Sequence, residues 1–294
     1  MDVNLVTLMD TYGTDDECRA LLEGLRWPRG VECPRCQGTT ISRIHKRGQF
    51  DCDSCRYQFS VTVGTVLHDS KLPLRKWLLA AYLMVEAKKG VSANQMKRTL
   101  GVSYKTAWYL CHRIRSAMAL ANPEPLTGEI EADETWIGGV QKGIPRGKWR
   151  DGKTMVLGAI ERGGEVRLKV DKRATKKAIH AFLNEVTAEV DVLYTDEHSA
   201  YVGFAERHEY TTHRNNEWVR GEVHTNSVEG VWSLFKRSVV GSYHQLSAKH
   251  LEAYLDEFEW RFNNRDNDFL FRDTVIQLMA SATLPYSELI AEPE

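Results

Sequence analysis

The chain has 294 residues, enough for two or three domains, with 42% hydrophobic and 27% charged residues, the balance of a soluble globular protein. No apolar run reaches the roughly 18 residues of a membrane span, and the Met-Asp-Val-Asn-Leu start lacks the basic and apolar regions of a signal peptide, so no membrane partner and a cytoplasmic, nucleoid-associated location are expected. The formal net charge of −1 conceals an asymmetry: residues 26–118 carry 17 Lys/Arg against 5 Asp/Glu, whereas residues 119–294 carry 21 against 29. A basic module joined to an acidic one points to nucleic-acid contact in the first part.

Residues 1–30 read as a helical lead, with Cys18, Leu21, Leu22 and Leu25 as its apolar stripe. Residues 31–66 hold two Cys-x2-Cys pairs, Cys33/Cys36 and Cys52/Cys55, with 15 residues between them. Four thiolates are the set a tetrahedral structural Zn2+ requires, and leave no position open for a catalytic water. A unit of this size cannot fold on hydrophobic burial alone, so zinc is expected to supply most of its stability. Phe50, Tyr57, Phe59, Val61 and Val63 suggest short strands, hence a zinc ribbon, which Arg43, Lys46, Arg47 and Arg56 decorate.

Residues 67–122 read as three helices. Pro73 opens the first, with Leu74, Trp77, Leu78, Ala81, Tyr82 and Val85 inward and Gly90 past its end. Ser92 caps the second, which stops near Leu100-Gly101; Ser103 caps the third, to about Met118. Two helices joined by Leu-Gly-Val-Ser make a helix-turn-helix pattern; an ordinary three-helix bundle is the alternative. The third helix offers Tyr104, Lys105, Thr106, Tyr109, His112 and Arg113 for DNA contact. Asn122-Pro-Glu-Pro-Leu-Thr-Gly marks a domain boundary.

From residue 123 to 275 the pattern is α/β. Glu129–Ile137 alternates as a strand carrying Asp133, and Met155–Ile160 and Val166–Val170 follow as strands. Between the first two lies a Gly-rich loop with Lys142, Arg146, Lys148, Arg150 and Lys153, which either clamps DNA or is merely solvated. A helix from Thr175 to about Val190 precedes a buried strand, Val192–Asp196, and a fifth strand is expected at Tyr210–Arg214. His224–Arg237 then reads as an amphipathic helix: Val228, Val231, Trp232, Phe235 and Val239 face inward, Asn226, Glu229, Ser233 and Lys236 outward. A last helix runs from Ser247 to about Phe262, and 276–294 is a C-terminal tail. Three strands, a helix, a strand ending in an acid and a helix bearing another acid match a ribonuclease H-like fold of the retroviral integrase type. There, Asp133, Asp196 and Glu229 would converge as hard oxygen ligands for Mg2+ or Mn2+. Taken singly, each acid is as well explained as a turn, edge or surface residue, and Asn226 as a helix cap.

The chain resembles bacterial insertion-sequence transposases that join a zinc ribbon to a DDE integrase domain. The landmarks are Trp27-Pro-Arg-Gly-Val-Glu-Cys-Pro-Arg-Cys, Thr65–Trp77, Glu131-Ala-Asp-Glu-Thr-Trp-Ile-Gly-Gly, Tyr194-Thr-Asp-Glu, His224–Arg237, and Tyr254-Leu-Asp-Glu-Phe with Arg-Phe-Asn-Asn-Arg, from about Leu21 to Arg272. The resemblance implies Asp133, Asp196 and Glu229 as catalytic acids, the last two 33 residues apart, with Lys236 seven beyond the glutamate. Some relatives use asparagine as the third residue, which makes Asn226 the reserve. It further implies binding of terminal inverted repeats through residues 31–118, metal-assisted cleavage of the element ends and strand transfer into target double-stranded DNA by a homodimer or larger assembly. The alternative is a DNA-binding regulator with an inactive integrase-like domain.

Overall fold

The computed structural model describes residues 4–119, 122–138, 152–212 and 219–291. It divides into two compact units, one of residues 1–119 with 266–294 and one of residues 120–265.

The first unit begins with α1 (Leu5–Thr11) and α2 (Asp15–Arg26). Thr14 and Glu17 form a reciprocal capping box at the start of α2, which satisfies backbone donors that the first turn leaves open. β1 (Ile41–Ile44), β2 (Gln49–Cys52) and β3 (Gln58–Ser60) form an antiparallel ribbon in that order. Its small core is Cys33, Phe50, Cys52 and Phe59, against which Trp27 and Tyr57 pack. Next come α3 (Leu74–Glu86), α4 (Ala93–Leu100) and α5 (Tyr104–Met118). Ser92 and Ser103 accept the backbone N–H groups of Gln95 and Thr106, and Gly101 adopts the left-handed conformation, φ 60°, that ends α4.

The chain returns to this unit at its end. α9 (Leu270–Ala280) packs on α2, α3 and α5, with Phe271 edge-on to Tyr82. The segment 276–294, expected as a tail, therefore includes the end of a packed helix and α10 (Tyr286–Ile290). The apolar positions of α9 (Phe271, Val275, Leu278, Met279) are all buried; helical spacing makes them one face, and that face belongs to the N-terminal unit.

The second unit is built on one five-stranded sheet. Its strands are β4 (Leu126–Ile137), β5 (Thr154–Glu161), β6 (Val166–Asp171), β7 (Thr187–Thr195) and β8 (His208–Tyr210), in the order β6-β5-β4-β7-β8. β5 and β6 run antiparallel to their neighbours; β7 is parallel to β4, and β8 to β7. Two layers cover the sheet. On one face Ile130, Ala132, Leu157 and Leu193 pack with α6 (Lys176–Val186). On the other, Ile137, Val156 and Val166 pack with α7 (Asn226–Ser238) and α8 (Leu251–Asn263). This is the ribonuclease H-like arrangement.

Three boundaries differ from the sequence reading. α6 stops at Val186, because Thr187 turns to extended backbone, φ −122° and ψ 155°; residues 187–190 are strand, which suits β-branched Thr187 and Val190. The fifth strand is His208–Tyr210, starting two residues earlier than expected, and residues 213–214 lie outside the described residues. α8 starts at Leu251, after a 3-10 turn at Ala248–His250.

α8 also shields the exposed edge of the sheet. The outward N–H groups of Val166, Leu168 and Val170 on edge strand β6 donate to Asn263 Oδ1, Glu259 Oε2 and Glu252 Oε2 at 2.8, 2.9 and 3.0 Å. A polar helix face thus replaces a sixth strand, and the edge cannot template pairing with another chain.

Candidate active site

The zinc site is assembled by two matching turns. Gln37 N–H bonds to Cys33 O and Arg56 N–H to Cys52 O, at 2.9 and 2.7 Å. Gln37 and Arg56, each just after the second cysteine of a pair, sit at φ 61° and 60°. These left-handed residues turn both Sγ atoms of a pair inward. The four Sγ atoms of Cys33, Cys36, Cys52 and Cys55 lie within 4.8 Å of one another. All are free thiols, a soft tetrahedral donor set that fits Zn2+.

The acids are placed by the central strands. β4 and β7 run parallel, with Glu131 opposite Tyr194. Two residues further along come Asp133, within β4, and Asp196, just past the end of β7. Neighbouring strands are about 4.8 Å apart, so the register alone puts the two aspartates side by side. Trp232 on α7 donates its indole N–H to Asp133 Oδ2 at 2.9 Å. The backbone N–H of His198 donates to Asp196 Oδ1 at 2.9 Å. Burial, with Glu134 and Asp196 nearby, pushes the Asp133 carboxyl up to about 8, against the pull of the Trp232 hydrogen bond. Removal from water and like charges both disfavour its ionised form.

Glu134 points to the opposite face of β4, where the Tyr201 hydroxyl donates to its Oε2 at 2.9 Å. Burial and the charges of Glu134, Asp133 and Asp196 push the Tyr201 phenol well above its usual range. A cleft of about 750 Å³ opens beside Asp196, lined by Glu197, His198, Val202, His208 and Tyr210 among others.

Glu229 and Lys236 are exposed on α7. The Thr225 hydroxyl donates to Glu229 Oε1 at 3.0 Å. At 100° per residue, Glu229 and Lys236 lie about 60° and 40° round the helix from Trp232, whose indole reaches Asp133, and Asn226 lies about 120° from it. Asn226 instead lines a separate groove of about 430 Å³ with Gly230, Ser233 and Arg237. Among the described residues the four cysteines are the one group of three or more His, Cys, Asp or Glu side chains assembled as a metal site. The three acids of the catalytic candidate set do not form such a group.

The proposed DNA-contact residues divide. Tyr104, Lys105 and Thr106 are exposed on the first turn of α5. Arg113, expected at a DNA surface, is 5% exposed. Its guanidinium donates to His68 O at 2.6 Å and lies over the rings of Trp77 and Tyr109. His112 is also buried. Both are corrected to core positions: α3, α4 and α9 pack on α5, and residues 112 and 113 fall on its packed half. Tyr109 is half-buried, with its hydroxyl on Leu284 O at 2.6 Å. Lys148 and most of the basic loop lie outside the described residues.

Glu131, Arg162 and Trp232 have roles beside the site that the amino-acid pattern did not assign to them. Glu131 was one acid among four within six positions. Its signal was parity, since it shares a face with Asp133. Trp232 was assigned to the core and is also the hydrogen-bond donor to Asp133.

Comparison with known proteins agrees with this architecture. Residues 125–263 match the family model of the ISXO2-like transposase domain, and residues 13–58 the transposase zinc-ribbon domain. The chain is 30% identical over 273 residues, covering 85% of itself and 92% of the relative, to an uncharacterized protein in transposable element ISH50 of Halobacterium salinarum. The chain belongs to the ISXO2-like family of insertion-sequence transposases. Two distant structural likenesses are the Mos1 strand transfer complex (11% identity, TM-score 0.29, 69% of this chain and 75% of that one) and a pre-cleavage Mos1 transpososome (13%, 0.27, 67% and 77%). At such scores neither bears on activity. No helix among the described residues is long and apolar enough to cross a membrane.

Proposed function

We propose that this transposase hydrolyses a phosphodiester at each end of its element and joins the exposed 3′-OH to target DNA, with Asp133, Asp196 and Glu229 as the catalytic acids. The observation that carries the reading is the parallel register of β4 and β7, Glu131 opposite Tyr194, which brings Asp133 within β4 beside Asp196 just past the end of β7. The carboxylates are hard oxygen donors, suited to Mg2+ or Mn2+. When bound, such ions supply Lewis-acid stabilisation of the attacking and leaving oxygens.

The chain's own residues orient and discriminate. Trp232 fixes one oxygen of Asp133, and the His198 N–H fixes one of Asp196. Glu229 is preferred to Asn226 as third acid, because a carboxylate is the stronger ligand and because Glu229 lies on the Trp232 side of α7. Lys236, one face with Glu229, meets the DNA backbone as a point charge. The zinc ribbon, with the first turn of α5 (Tyr104, Lys105, Thr106) used as a helix-turn-helix, binds the terminal inverted repeats. Each phosphate neutralised adds about −0.9 to the log-log salt slope. Holding two ends together calls for a homodimer or larger assembly.

The test is Asp133→Asn in the full chain, with end DNA and Mg2+. Cleavage and joining fall by about a thousand-fold or more, given that acid ligands and phosphoryl-transfer electrostatics supply most of such catalysis, while end binding stays within two-fold. Cleavage at the native rate would remove Asp133 from the reaction.

A further inference from the structure

The catalytic reading explains Asp133, Asp196 and Glu229 and leaves the best-bonded acid of the unit without a task. Glu131 is 0% exposed. Its Oε2 accepts the backbone N–H groups of Ser227 and Val228 at 2.8 and 3.2 Å. Its Oε1 accepts the Ser227 hydroxyl at 3.0 Å and Arg162 Nε–H at 2.9 Å. Four donors occupy the four acceptor sites of an ionised carboxylate. Buried and saturated in this way, Glu131 has no free oxygen left to offer a substrate or a metal.

Its donors show what it holds. Ser227 and Val228 are the second and third residues of α7, and Thr225 at the helix start makes no side-chain cap. The N-terminal amides that a Ser, Thr or Asp usually caps from within the chain are capped here from strand β4. A negative group at that end also suits the helix dipole. Arg162 extends the clasp. Its guanidinium stacks 3.8 Å from the Tyr194 ring centre on β7. Its Nη2 donates to Glu222 O and His224 O, at 2.8 and 3.1 Å, in the segment entering α7. His224 Nδ1 lies 3.3 Å from Glu131 Oε1.

Each anchored residue stands two positions before a catalytic candidate: Glu131 before Asp133, Tyr194 before Asp196, Ser227 before Glu229. The backbone ladder between β4 and β7 already sets the two aspartates side by side. What the ladder leaves open is where α7 begins along the sheet, and hence where Glu229 stands. We propose that Glu131, backed by Arg162, is a positioning residue that fixes the start of α7 and so delivers Glu229 to the aspartate pair. The proposal rests on the three-acid reading above.

The experiment measures Mn2+ affinity by titration calorimetry on the full chain, with folding checked by circular dichroism. Glu131→Gln keeps the shape but gives up the charge and half of the acceptor capacity. It is expected to lower Mn2+ affinity by about ten-fold, the lower range for residues that orient metal ligands. Ser227→Ala removes one bond of the four and is the milder variant, expected to lose about three-fold by the same reasoning. Because both act through Glu229, neither lowers affinity further when added to Glu229→Gln; coupled residues are non-additive in this way. A Glu131→Gln chain that fails to fold leaves the decision to Ser227→Ala and its Glu229→Gln double variant. Native affinity in the single variants that fold, or losses that add in full to that of Glu229→Gln, would overturn the clasp. If Glu229→Gln and Asp133→Asn themselves bind Mn2+ and cleave as the native chain does, the three-acid reading has failed and the clasp falls with it. If those two are impaired and the Glu131 and Ser227 variants are not, only the clasp has failed.

Discussion

The zinc ribbon and the acid site solve opposite problems. In the ribbon, four thiolates already within 4.8 Å of one another surround a core of only Cys33, Phe50, Cys52 and Phe59 with a few flanking rings. There a bound Zn2+ would hold the fold. In the second unit, two apolar layers hold a five-stranded sheet, and the fold holds the acids, at the expense of keeping Asp133 buried beside other carboxylates. Stability flows from ligand to scaffold in one case and from scaffold to ligand in the other.

Removing zinc is the strongest way to break this contrast. Chelation, or Cys36→Ser, unfolds residues 31–66, since binding contributes roughly 10–16 kcal/mol in small zinc modules. End binding is lost with it, and the 120–265 unit keeps its own melting transition. Calorimetry that resolves the two units checks this; a chelated chain with unchanged circular dichroism and end binding would contradict it.

A methyl group tests how tightly the second scaffold governs its site. Gly158 pairs with Asp133 across β4 and β5. A Cβ placed there would meet Trp232 Cη2 at 2.5 Å and Leu168 Cδ2 at 3.2 Å. Gly158→Ala therefore displaces the indole that holds Asp133. It should cost about 1–3 kcal/mol of stability, as overpacking does, and lower cleavage about ten-fold through the misplaced Asp133, an angstrom-scale effect. Urea denaturation and a cleavage assay measure the two, and native values in both would show that Trp232 has no positioning role.

A smaller effect concerns pH. Burial, then Glu252, pushes Asp256 up to about 7; burial also pushes Glu259 up to about 7, opposed by its bond from Leu168 N–H and by Arg167. The folded state therefore holds these protons more tightly than the unfolded chain, where carboxyls titrate near 4. The stability they contribute is fully present below pH 4 and declines as pH rises from about 4 to about 7. Asp256→Asn should flatten that decline for its share, raising the melting temperature at pH 8 more than at pH 5. An equal change at both pH values would exclude the linkage.

The smallest expected effect is Asn226→Ala. Because Asn226 lines the groove with Gly230 and Arg237, its loss should leave cleavage within about three-fold, well under the loss expected for a metal ligand. A loss matching that of Glu229→Ala would exchange the two assignments.

Much of this was legible along the chain. The cysteine spacing announced the ribbon, because two local turns suffice to gather four thiols. The apolar period of residues 228–239 announced α7, because helical burial repeats locally. Asp133 could be picked out within an alternating strand and Asp196 at the end of a buried one. Arg113 could not be read correctly: an arginine on a basic helix looks like a DNA contact until the rings of Trp77 and Tyr109 are seen to enclose it. Nor could the stripe of Glu252, Asp256, Glu259 and Asn263, which looks solvated until β6 lies against it.

The clearest division falls within six residues. Glu129, Glu131, Asp133 and Glu134 are alike in chemistry, and the sequence alone fixed only their alternation: period two puts 129, 131 and 133 on one side and 134 on the other. Which side faces α7, that Glu131 is sealed under its first turn, and that Asp133 lies beside Asp196, were decided by the parallel pairing of β4 with a strand some 60 residues later. Side-chain period is a local property of the backbone, whereas partner and register are chosen by the burial of both faces at once.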